Sequence, residues 1–377
     1  MIQTREDRAF DVIPDELDDF YSDDDLYNIN SWGADLSFRE LITQYKDGDL
    51  LKPEMQRNYV WDKTEASRFI DSLLLGLPVP SIFLAKTAAS RMLIVDGYQR
   101  IMTVNDYVRG IFSTDEKVFK LTRSSKINPR WRGKAFAELS ESEQRKIRST
   151  TIHCIIFQQI KPRNNDTSLY QIFERINSSG RTLLPQEIRN CVYQGDFNKL
   201  LLRLNLNSSW RTLYGLEKPD SRMRDIEFVL RFFALASGKL QEAVSESISL
   251  KKFLNDCMGA EDANDIASLE RREAVFVRVT RFLLEHMGEQ AFQNISPKQP
   301  EKSSGRFNPT IFDSIMIATA RALDQDITPI ASQLRERRLR LLQDPEYQDL
   351  IRIRTTKVER INRRNQIAHD YLYGAQP

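Results

Sequence analysis

The sequence predicts an α+β protein: a mixed core of strands and helices followed by a mainly helical second domain. Three observations carry this. Strand-like apolar runs at 82–85, 92–95 and 150–160 alternate with helix-period segments as far as residue 195. Beyond Gly195 five segments repeat apolar residues at i, i+3 and i+4. The length, 377 residues, suits two domains. The divisions are an acidic arm over 1–30, a core domain over 31–195 and a helical domain over 196–377.

In the arm, ten acids face two bases, and "DELDDFYSDDD" sets Phe20 and Tyr21 among carboxylates. That composition predicts a disordered, solubilising segment, or an arm that masks a basic groove or docks on a partner. The rest of the chain holds 53 bases and 43 acids. Hydrophobic residues make up 41% and charged residues 29%, as in ordinary globular proteins. No apolar run reaches membrane-spanning length and no basic-then-apolar signal opens the chain, so the expectation is a cytoplasmic protein with no membrane partner. Cys154, Cys191 and Cys257 stand singly, which excludes a disulfide framework and a structural zinc and predicts buried small hydrophobes.

The elements follow in order. Leu36, Phe38, Leu41, Ile42 and Tyr45 recur at helical spacing, and Gly48 stops the helix. Asp62 and Glu65 fit a capping box that opens a helix with Phe69, Ile70, Leu73 and Leu74 inward; Gly76 and Pro78 end it. Strands at 82–85 and 92–95 precede a helix over 98–108. Seven Lys or Arg and no acid fall within 117–134, with Phe119 and Trp131 interleaved, the pattern of a solvated loop or of a nucleic-acid surface. Ser140 and Glu143 cap a short helix, and 150–160 reads as a strand covered on both faces, with His153 a core residue. A helix carrying Ile172, Phe173 and Ile176 ends at Asn177. Ser-Ser-Gly follows, and Pro185 sits in the first turn of another helix. Beyond Gly195 come the helical segments "FNKLLLRLN", "RDIEFVLRFFALA", "LKKFLNDCM", "RREAVFVRVTRFLLEHM" and "NPTIFDSIMIATARAL", with polar loops such as "SPKQPEKSSGRFNP" between them. Arg222 and Arg224 read mostly as surface ion-pair partners.

Two places offer anion chemistry. In "LIVDGYQRIMTV" a strand breaks at Asp96-Gly97 into a helix. Gly97 lets a phosphate approach the backbone, the helix start offers unpaired N–H groups, and Arg100 can chelate phosphate oxygens in a bidentate way. Asp96 can hold a Mg2+ shared with the phosphates, or orient a water. The second place is the Ser-Ser-Gly loop, where Asn177 and Gly180 bound a run of N–H groups flanked by Arg175 and Arg181. Both have a plainer reading, as an ordinary turn and an ordinary helix connection.

"PEMQRNYVWD", "IDSLLLGLPVPSIFL", "IVDGYQR", "FERINSSGRTLLPQEIRN" and "RMRDIEFVLRFFAL" resemble, in that order, the GmrSD N-terminal domain family, from residue 31 to the C-terminus. The resemblance implies a ParB/sulfiredoxin-like core that binds and hydrolyses a nucleoside triphosphate in bacterial DNA restriction and antiphage defence. It implies DNA as a partner and a nuclease domain, fused or supplied by a separate defence protein. The family's Asp-Gly-Gln-Gln-Arg motif falls on Asp96, Gly97, Tyr98, Gln99 and Arg100, which implies catalytic roles for Asp96, Gln99 and Arg100. Tyr98 replaces the first glutamine, an aromatic able to stack on a base or close the pocket. Whether the nucleotide is hydrolysed or only bound turns on that replacement. The resemblance places Gln56 and Arg57 at the same pocket.

Two alternatives stand beside this reading. The chain shows no HNH nuclease pattern among His153, His286 and His369, which fits a non-hydrolytic, nucleotide-gated DNA-binding adaptor. In "RRNQIAHD", Arg364 and His369 match the R-x4-H spacing of HEPN ribonucleases, although those domains normally continue for further helices and eight residues follow here. A homo-oligomer is open to all three readings.

Overall fold

Ser37 decides where the first helix begins. In the computed structural model of the chain, which describes Asp11, Ile13 and residues 29–52, 61–87, 90–159, 167–176, 184–193, 195–242, 246–260, 262–296, 299–327 and 331–374, Ser37 closes strand β1 (Ile29–Ser37) and caps helix α1 (Phe38–Asp47). The Glu40 N–H donates to Ser37 Oγ, and the Ser37 N–H donates to Glu40 Oε2 at 2.8 Å. The apolar spacing from Leu36 suggested a helix there with no strand before it. β1 is an edge strand of mostly exposed residues, so no alternation marks it. Gly48 ends α1 at φ +81, as its position predicted.

The described residues form two compact units, one within 23–183 and 187–194, the other within 195–377 joined by 184–186, Asp11 and Ile13. In the first unit, β2 (Leu50–Leu51), α2 (Lys63–Leu75), β3 (Ile82–Lys86), β4 (Met92–Asp96) and α3 (Tyr98–Arg109) follow α1. Next come a hairpin of β5 (Ile111–Phe112) and β6 (Lys117–Val118), then α4 (Glu141–Ser149), β7 (Thr151–Gln159), α5 (Thr167–Ile176) and, from Glu187 on, α6 (Pro185–Val192). The predicted capping boxes of α2, through Asp62 and Glu65, and of α4, through Ser140 and Glu143, are both present. The sheet order is β1-β7-β3-β4-β2, with β7 parallel to β3, β4 parallel to β2 and the other pairs antiparallel. Leu84, Ile94, Ile152, Cys154 and Ile156 share a core with Phe38, Leu41, Ile70, Ile101 and Tyr107. This packing of apolar helix faces against one sheet face holds the α+β unit together.

The start of β7 corrects the expectation that this strand is covered on both faces. Thr151 and His153 are exposed, and His153 is no core residue: its Nδ1 meets Asp35 Oδ1 of β1 at 2.8 Å, directly across the antiparallel ladder. The imidazole lies against Gly33, where a β-carbon would fall 2.7 Å from His153 Cε1.

The second unit is mainly helical: α7 (Asp196–Asn205), α8 (Ser208–Tyr214), α9 (Arg224–Ala236), α10 (Leu250–Met258), α11 (Ile266–Met287), α12 (Pro309–Asp324), α13 (Ala331–Gln343), α14 (Pro345–Leu350) and α15 (Val358–Tyr373). The five helix-period segments all form helices. One polar loop does not stay a loop: β8 (Gln293–Ser296) and β9 (Gln299–Phe307) pair as a hairpin, anchored at its base by Phe292 and Phe307, whose rings lie 5.6 Å apart. Helix α12 is buried along nearly its whole length. Arg224 donates to buried Asp220 at 2.7 Å, an ion pair as expected but at the edge of the interior. All three cysteines are buried, as their isolation predicted. Among the described residues no helix is long and apolar enough to cross a membrane.

Candidate functional site

Strand β4 delivers Asp96 to the sheet's end, and Gly97 turns the chain at φ +104 into α3. A β-carbon on residue 97 would fall 2.2 Å from Ile82 Cγ2, so this turn admits only glycine. Whereas α1, α2 and α4 begin with side-chain caps, α3 has none at Gly97 and no acid in its first turn. Its first turn lies at the positive end of the helix dipole, where an anion is favoured.

Arg100 sits in that same first turn, where a cation is unfavourable by itself. Two acceptors fix it: Nη1 donates to Ser81 O at 2.8 Å and Nη2 to Asp96 Oδ2 at 3.2 Å. Asp96 is 40% exposed and Arg100 16%, so the pair borders solvent with the guanidinium already oriented. Such an arm loses little freedom on meeting an anion.

Tyr98 points inward, 5% exposed within the core. Burial, and then the neighbouring Tyr45, hold its phenol well above the usual range. Its ring faces one cation, Lys52, whose Nζ lies 4.9 Å from the ring centre. Lys52 follows β2, the parallel neighbour of β4, and partial burial pulls its ammonium below the usual lysine range. The sequence reading missed Lys52, which only the parallel pairing of β2 with β4 brings beside the turn. Gln99 accepts from the Trp61 N–H at 3.4 Å, so Lys52 and Trp61, which bound the segment 53–60, both contact the Tyr98-Gln99 pair.

A Mg2+ ion keeps waters and uses one or two carboxylates besides the phosphates it accompanies. Asp96 supplies one such carboxylate. Among the described residues no group of three or more His, Cys, Asp or Glu side chains stands ready to hold a metal ion.

The structure thus brings Asp96, Gly97, Tyr98, Gln99 and Arg100 to one turn. Gln56, Arg57, Asn177 and Gly180 lie outside the described residues, as does Arg181. Arg175 is exposed on the last turn of α5. Arg364 is 2% exposed in the helical unit: its Nη1 donates to Thr355 O at 2.6 Å and Nη2 lies 3.7 Å from Asp313 Oδ2. His369, five residues on, is rotated about 140° around α15 from Arg364.

Residues 38–194 match the family described as GmrSD restriction endonuclease, N-terminal domain, so this stretch is a domain of that family. The match takes in four of the five stretches quoted above and ends before "RMRDIEFVLRFFAL", a shorter extent than the resemblance suggested. No curated protein and no solved structure matches the chain.

Proposed function

We propose that the protein is a nucleotide-binding, NTP-hydrolysing component of a bacterial DNA restriction or antiphage defence system that controls a separately supplied nuclease. The family of residues 38–194 supports the restriction context, with DNA as target and a nuclease as partner. One observation carries the nucleotide reading: an uncapped helix start behind a glycine-only turn, with Arg100 pre-oriented beside Asp96. Phosphate oxygens accept from the leading N–H groups of α3 and from Arg100, while Lys52 adds a second cation from the neighbouring strand. Asp96 would hold the Mg2+ of the triphosphate or orient the attacking water, with Gln99 next to it in the same turn. The family resemblance assigns Gln56 and Arg57 to the same pocket. Buried Tyr98 serves here as a support for Lys52.

Phosphate release with each NTP, from the native chain and from Asp96→Ala and Arg100→Ala, tests this. Release from the native chain that falls at least tenfold in both variants is expected. Equal background release from all three would leave the non-hydrolytic adaptor.

A further inference from the structure

Ten Lys or Arg and three acids fall within residues 117–149, so this stretch supplies a net charge of +7, most of the +10 carried beyond residue 30. The structure shows what the sequence pattern left open between a loose loop and a built surface. The apolar residues Phe119, Leu121, Ile127 and Trp131 are all buried. Buried Asp71 accepts from the Asn128 N–H at 3.0 Å and from Trp131 Nε1. Ser67 Oγ accepts from the Thr122 N–H at 3.0 Å, and Arg132 donates to the carbonyls of Ile127 and Ser125. The loop is therefore pinned to α2 with its cations outward. Lys120 and Arg130 pair with Glu138 and Glu143, whereas Arg123 and Lys126 are exposed with no carboxylate in ion-pair range among the described residues.

We infer that this platform is a duplex-DNA backbone site, with Arg123 and Lys126 contacting phosphates without reading sequence. Fixed outward cations suit the dense charge of a duplex. A bilayer would need a cluster of apolar side chains to insert, and Phe119, Leu121, Ile127 and Trp131 face the core, with Val118 left exposed. The inference rests on the DNA-directed reading above and is separate from the nucleotide turn.

The test is binding of a mixed-sequence duplex to the full chain between about 50 and 200 mM salt, for the native protein and for Arg123→Ala with Lys126→Ala. Two lost phosphate contacts should weaken binding roughly tenfold and lower the log–log salt slope by about 1.8. Phosphate release from NTP should be unchanged. Unchanged affinity and slope would overturn the platform alone, as would a variant that loses binding to phosphatidylserine vesicles but keeps DNA. A native chain that binds no duplex would overturn the DNA reading with it, while phosphate release would still report on the nucleotide turn.

Discussion

Gly97 and Ile82 compete for one space: the Ile82 side chain fills the position that a β-carbon at residue 97 would take, 2.2 Å from Cγ2. Gly97→Ala therefore meets both a clash and a left-handed backbone at φ +104, a loss of roughly 3 kcal/mol. Combining it with Ile82→Ala removes the nearer contact, at Cγ2, and leaves only Ile82 Cβ at 2.7 Å, so the double variant should be less destabilised than the sum of the singles by about 1 kcal/mol. Urea unfolding of the four proteins measures this coupling, and strict additivity would sink the steric account.

Asp71 ties the basic platform to α2. Asp71→Ala leaves the Asn128 N–H and the indole N–H of Trp131 without their acceptor and should cost about 3 kcal/mol. Asp71→Asn keeps an oxygen there and should cost less than half as much. Trp131 fluorescence during denaturation reads both.

Acid should loosen the first unit through its caps. Backbone hydrogen bonds from Ser37, Ala135 and Ser140 hold Glu40, Glu138 and Glu143 below the ordinary glutamate value of 4.5. Since the folded values are depressed, their stabilisation is complete above pH 4.5 and is lost as pH falls through the folded values. Replacing all three by Gln should flatten the decline of the unfolding midpoint below that pH. An unchanged slope would exclude the caps as its source.

Legibility followed the physics of each signal. Caps and stops are local, so Asp62 with Glu65, Ser140 with Glu143, and Gly48 could be read from the sequence and stand as expected. Edge strand β1 and the β8–β9 hairpin could not, since exposed polar strands carry no hydrophobic period. Tyr98, read from the sequence as an aromatic for the pocket, is core instead: with Ile101 and Met102 it begins the apolar face of α3. Lys52 was not readable, because only the parallel pairing of β2 with β4 brings it beside the turn.

Arg364 belongs to a buried ion cluster. Asp313, fully buried, accepts from Arg231 Nε at 3.1 Å and faces Arg364. Asp313→Ala strands buried positive charge and should cost about 3–5 kcal/mol, whereas His369→Ala should change stability by less than about 1 kcal/mol. Thermal unfolding separates the two. RNA cleavage abolished by His369→Ala in a stably folded chain would instead favour the ribonuclease alternative.

The central claim is that the turn from Asp96 to Arg100 holds a triphosphate, and equilibrium titration of the full chain with Mg-NTP tests it most directly. Loss of charge-assisted hydrogen bonds in Arg100→Ala should weaken binding by roughly 10- to 100-fold, with the fold intact by circular dichroism. Equal affinity of the native and Arg100→Ala proteins would contradict the account.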